Sequence, residues 1–125
     1  MPRYATLSVR RGGTGRLDPP AVAQNAAFVM HIGVCHLTLR LPENHSLKGK
    51  RQVIRSLLAR LSNEFNVSVA EIDQQDAWQI AGIGLCCVSN SRQHARQQLE
   101  AAIEFVERTR PDLEIIDCET DVLSA

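Results

Sequence analysis

"HIGVCHLTLRLPENHSLKGKRQVIRSLLARL", residues 31–61, changes its apolar period once, and that change sets the fold. As far as Leu41 the period is two: Leu37, Leu39 and Leu41 alternate with His36, Thr38 and Arg40, the pattern of a strand with one buried face. Pro42 stops the strand. Ser46 then serves as an N-cap, and Leu47, Ile54, Leu57, Leu58, Leu61 and Phe65 fall on one face of a helix. A strand running directly into an amphipathic helix is the opening of a β-α-β unit.

The rest of the chain completes that unit and repeats it. "NVSVAEID" (66–73) reads as a second strand, with Gln74 and Gln75 near its turn. "WQIAGIGLCCVS" (78–89) is apolar on both parities, as a central strand is. Ser89, Asn90 and Ser91 offer caps for a second helix, whose inner face is Ala95, Leu99, Ala102, Ile103 and Val106, and Pro111 closes it. "LEIIDCETDVL" (113–123) is the last strand, expected to place Ile116, Cys118 and Val122 on one side and Asp117, Glu119 and Asp121 on the other. The order β-α-β-β-α-β, with right-handed crossovers, gives an α+β ferredoxin-like sandwich. It is a four-stranded antiparallel sheet with two helices on one face, and no iron is implied. The last strand then lies beside the first, with its acidic row near His36 and Arg40. Such cross-strand pairs are worth a few tenths of a kcal/mol, roughly, and favour that register.

At 125 residues the chain has the length of one domain. Residues 1–29 differ from the remainder: they lack an apolar period, contain Pro19-Pro20 and read as a flexible leader before a domain spanning 30–125. Met30 stands immediately before the first strand, so the expectation is that translation starts there and the leader is a start-site artefact or a disposable tail. "GGTG" (12–15) lacks the Lys-Ser/Thr of a phosphate loop. Of 14 basic and 14 acidic residues, four and one lie in 1–29, leaving 10 and 13 in the domain. A globally basic nucleic-acid binder is thereby excluded, nothing points to DNA sequence readout, and only a local basic patch remains. No apolar run reaches the ~20 residues of a membrane span. Four cysteines without a framework spacing or a secretory segment point to a reducing, cytoplasmic setting.

The block "LTLRLPENHSLKGKRQVIRSLLARLSNEFNVSVAEIDQQDAWQIAGIGLCCVSN" (37–90) resembles the YlxP-like family, small bacterial proteins of unknown function. The resemblance rests on the Leu-Pro before the first helix, the Ser-Leu-Lys-x-Lys-Arg opening, the Phe-Asn-Val-Ser-Val-Ala-Glu run and the Gln-Asp-x-Trp-Gln hairpin, and extends over about residues 30–123. It implies the same ferredoxin-like fold. Members of the family are often encoded beside translation-initiation and ribosome-maturation factors, which implies a role in translation. The family usually carries Glu where this chain has Gly49, so the reciprocal Ser-x-x-Glu capping box is lost here.

The basic stretch at the first helix is the candidate site. Lys48, Arg51 and Arg55 share one flank, Lys50 is expected on the other, Arg40 leaves the first strand and His45 precedes the cap. A helix N-terminus with converging cations suits a phosphate, RNA backbone being the expected source, and Gly49 would let that group approach the main chain. The competing reading is a solvated helix flank whose long side-chain stems cover the core edge. Asp73, Asp76 and Trp78 mark a hairpin surface, where turn satisfaction and edge packing outweigh acid-base chemistry. Cys86 and Cys87 point to opposite faces, Cys35, Cys87 and Cys118 share the helix side as small hydrophobes, and no C-x-x-C exists. No metal, cofactor or catalytic residue is therefore expected, and no enzyme. The open face, with Ile32, Val34, Ile80 and Val88 beside His36 and Arg40, lacks the aromatics on which RNA-binding sheets stack bases. Its apolar character favours a homodimer. The expected partner is ribosomal RNA or a ribosome-associated protein. The alternative is a homo-oligomeric interaction module docking an acidic partner, and a third reading is a small-molecule phosphate binder.

Overall fold

A computed structural model describes residues 29–125. The expected leader, residues 1–29, lies outside the described residues apart from Val29, while Met30, the expected start, is described and stands immediately before the first strand. Strand β1 spans His31–Arg40, helix α1 Leu47–Glu64, β2 Ser68–Asp73, β3 Ile80–Ser89, α2 Arg92–Thr109 and β4 Glu114–Ser124. The sheet order is β2-β3-β1-β4 and every neighbouring pair is antiparallel. This is the ferredoxin-like α+β arrangement expected from the period changes, with β4 beside β1.

The core lies between the helices and one face of the sheet. Leu37, Leu39, Ile83 and Leu85 from the central strands meet Ile54, Leu57 and Leu61 of α1 and Ala95, Leu99, Ala102 and Val106 of α2, all buried. Leu57 and Leu61 are wholly inaccessible, so truncating either to alanine costs about 2–5 kcal/mol. Each helix begins at a serine whose hydroxyl accepts an N–H from the first turn: Gly49 to Ser46 at 3.0 Å and His94 to Ser91 at 3.2 Å. Phe105, outside the expected inner face of α2, is also buried and meets Phe65 edge-on at 5.4 Å between ring centres.

The acidic row of β4 falls where the register argument puts it. His36 pairs with Glu119, Thr38 with Asp117 and Val34 with Asp121, and Arg40 Nε bonds Glu114 Oε1 at 2.7 Å. One residue on this strand departs from expectation. A bulge between Thr38 and Leu39 shifts the register, so Leu39 pairs with Ile115 while Ile116 is half exposed. A bulge inserts one residue and reverses the facing of everything beyond it. Ile115, not Ile116, therefore packs against the core.

Candidate nucleic-acid interface

The first turn of α1 does not stand alone: it is stitched to the β1–α1 loop and to the β2–β3 hairpin. Leu41 N–H bonds Gln79 O at 2.8 Å, extending the β1–β3 pairing past the strand end. The Gln79 amide donates to Pro42 O and Asn44 O. Asn44 Nδ2 in turn donates to Ser46 O and to Trp78 O, each at 2.7 Å. Two side-chain amides thus bridge segments more than thirty residues apart in sequence.

Lys50 completes the corner and corrects the expectation placed on it. It is not on a solvent-facing flank but is 1 % exposed, among the best-buried side chains of the protein. Its Nζ donates to Gln74 O at 2.6 Å and to Ala77 O at 2.8 Å, and lies 3.0 Å from Glu71 Oε2. The Glu71 contact is off the hydrogen-bond axis, so that oxygen is held by the ion pair alone. An ammonium has three donors and no acceptor. Two carbonyls and one carboxylate match it, which makes burial of the charge tolerable. The grip also braces a turn with a left-handed residue, Gln74 at φ 59°, whose carbonyl accepts both Lys50 Nζ and the Ala77 N–H. The signal was in the sequence: Lys50, Ile54, Leu57 and Leu61 follow one another at i, i+4, i+7 and i+11, so Lys50 is in phase with the apolar stripe.

Gly49 has a different role from the one expected. A Cβ there would collide with Asn44 Oδ1 and sit 3.2 Å from Ser46 Oγ. The open space therefore accommodates the Asn44 amide, a group of the chain itself, rather than an incoming phosphate. This gives a physical reason for glycine where a capping-box carboxylate would otherwise stand: the Asn44 clamp and a side chain at 49 compete for one volume.

What remains on the surface is narrower than the six residues of the sequence reading. Lys48, Arg51 and Arg55 are exposed on the side of α1 away from the sheet, and His45 is exposed in the preceding loop. Among the described residues none of these four enters an ion pair or a side-chain hydrogen bond. Arg40, by contrast, is engaged by Glu114 across the sheet edge. At the hairpin Asp73 Oδ1 accepts the Gln74 N–H at 2.9 Å, Asp76 is exposed, and Trp78 is 55 % exposed with its carbonyl held by Asn44. The structure thus splits the candidate set into an internal clamp, an edge ion pair and an outward row of cations.

Among the described residues no group of three or more His, Cys, Asp or Glu side chains is placed to hold a metal ion, and no helix is long and apolar enough to cross a membrane. Burial pushes the Cys35 thiol well up, and the adjoining Cys118 adds to the effect; Cys118 is itself raised by burial. Neither has the lowered pKa of an activated nucleophile.

A family model described as "Protein of unknown function (DUF503)" matches residues 32–120. The chain belongs to this family. The DUF503 match runs from β1 into β4 and so takes in the whole clamp, the cation row and both helices. The "Uncharacterized protein YlxP" of Bacillus subtilis (strain 168) is 41 % identical over 69 residues, covering 55 % of this chain and 74 % of the relative. For this DUF503 member the resemblance read from the Ser-Leu-Lys-x-Lys-Arg and Gln-Asp-x-Trp-Gln motifs has a structural counterpart. Those two motifs, distant in sequence, meet at the clamp through Lys50, Ala77, Trp78 and Gln79.

Proposed function

We propose that this DUF503 chain is a non-catalytic, cytoplasmic binding protein that holds an RNA phosphate backbone on the outer side of α1, as an accessory factor in translation or ribosome maturation. The observation that carries this reading is the row Lys48, Arg51 and Arg55: three exposed cations within two turns of one helix, without acidic partners among the described residues. The helix that presents them is fixed at its start by the Lys50 and Asn44 clamps, so the charges keep a constant spacing. Phosphate contacts of this kind position a protein on RNA without reading its sequence.

Co-sedimentation of the full chain with bacterial ribosomal subunits, across a salt series, tests the reading. Three phosphates neutralised give a log–log salt slope of about −2.1 to −2.7, so affinity falls roughly twenty- to forty-fold between 50 and 200 mM salt. The triple variant K48Q/R51Q/R55Q is expected to lose binding and keep its fold. Binding by the triple variant equal to that of the parent, or no binding at low salt, refutes the proposal.

A further inference from the structure

Both helices lie on one face of the sheet, and the other face carries a depression in its apolar centre. A concavity of about 390 Å³ opens there, walled by Val34, Ala70, Ile72 and Cys86 above Gly84. Gly84 is the reason for its depth, since a Cβ at that position would come within 3.0 Å of Ile72. Ile72 and Val88 are each more than half exposed, although both are large aliphatic residues at strand positions. An exposed apolar patch of this kind on a small domain marks an interaction surface.

We infer that a second copy of this chain covers the open face, pairing the two sheets face to face in a four-layer sandwich with the helices outside.

Size and charge together select this occupant and its orientation. β1 and β3 have ten residues each. With about 3.3 Å per residue and about 4.8 Å between strands, the face measures roughly 600 Å² per copy and roughly 1,200 Å² for two, the lower limit of a specific interface. A two-fold interface brings the same patch of both copies together, so apolar centre meets apolar centre. The charged strand limits how. Asp117, Glu119 and Asp121 occupy the open face of β4, paired with Thr38, His36 and Val34. A two-fold axis across the strands would lay that acidic row on its own image. An axis along the strands lays β4 of each copy over β2 of the other, where Ser68 and Ala70 offer no carboxylate. There the row meets a single acid, Asp73, level with Asp117 through Gly82 and Thr38, in place of its own three. The acidic rows then sit at opposite margins, and Val34, Cys86 and Val88 sit toward the middle. The outer sides of both α1 helices stay open in this arrangement, so the inference stands or falls independently of RNA binding.

Sedimentation equilibrium of the full chain from about 1 to 200 µM spans the range in which an interface of threshold size dissociates. The expected result is a reversible monomer–dimer equilibrium. Val88→Asp and Ile72→Asp, tested separately, are each expected to weaken it at least about tenfold, because each buries a charge in the apolar contact. Ala59→Asp, on the exposed side of α1, is expected to leave it unchanged. Both face residues are exposed in the single chain, so unaltered thermal melts of dilute protein check that the variants fold. A measurement without substitutions runs beside these: alkylation of Cys86 on the open face slows as protein concentration rises, while that of the exposed Cys118 on the other face does not. A full chain that stays monomeric throughout, or a dimer indifferent to both substitutions, overturns the inference.

Discussion

Lys48 and Lys50 are two residues apart on one helix and do opposite things. Lys48 faces solvent; Lys50 is 1 % exposed and holds three oxygens of the β2 end and the following turn. The chemistry of the side chain is the same, so the difference lies in its phase relative to the apolar stripe. A rotation of 200° about the helix axis moves a cation from one side of the helix to the other. Motif spelling treats the two lysines as one basic cluster, whereas packing makes one a part of the core and leaves the other to the surface.

The largest expected effect separates them directly. Lys50→Gln leaves Glu71 and two hairpin carbonyls without their cation, and loss of one partner of a buried pair costs about 3–5 kcal/mol. Lys48→Gln, on the surface, is expected to stay within about 0.5 kcal/mol of the parent. Urea unfolding of both variants gives the contrast, and equal midpoints would erase it.

A smaller effect tests the reason for Gly49. Alone, Gly49→Ala displaces the Asn44 amide and loses bonds worth about 0.5–1.5 kcal/mol each, against a gain in helix propensity of up to about 1 kcal/mol. In an Asn44→Ala background the conflict is gone and the same change is expected to stabilise. A double-mutant cycle with additive energies would show that the two residues do not share one volume.

The hairpin beneath Lys50 supplies the next. Gln74 occupies a left-handed conformation disfavoured by about 1–2 kcal/mol for a residue with a Cβ. Gln74→Gly relieves that strain at the cost of a more flexible unfolded chain, and a net gain below about 1 kcal/mol is expected in thermal melts.

The smallest effect is in the turn between α2 and β4. Arg110 donates two hydrogen bonds to Asp112, at 3.0 and 2.7 Å, and these hold the Asp112 carboxyl below its ordinary value near 3.8. A lowered folded pKa contributes stability that is fully present above the unfolded value and is lost as pH falls through the folded one. Asp112→Asn is therefore expected to cost a few tenths of a kcal/mol, roughly, at neutral pH. The difference from the parent should shrink as pH falls below 3.8 and vanish only once the pH is below the lowered folded value, where the carboxyl is neutral like the amide. A difference that persists in acid would assign the effect to something other than the charge.

The fold was legible because it depends on period. The switch from alternation to a 3.6-residue repeat, made twice and punctuated by Pro42 and Pro111, identifies strands and helices whatever their neighbours are. The placing of the β4 acidic row beside β1 follows from topology and charge in the same way, whereas the partner Arg40 takes, Glu114, lies outside that row. The site was legible only in part. Lys50 belonged to the stripe by its phase, but its charge placed it with the surface residues, and its acceptors lie 24 and 27 residues away. The facing of Ile115 and Ile116 was not legible, since a bulge leaves no mark in two consecutive isoleucines.

The sequence by itself thus determined the element order, the strand neighbours, the family motifs and the absence of a global basic field. These follow from local periodicity, turn chemistry and summed charge, each readable within a short window. Only the tertiary structure decided which cation is buried, why Gly49 is a glycine and which isoleucine enters the core. Those outcomes are set by which carbonyls and side chains arrive from distant segments to share a single volume, a quantity that no stretch of sequence contains.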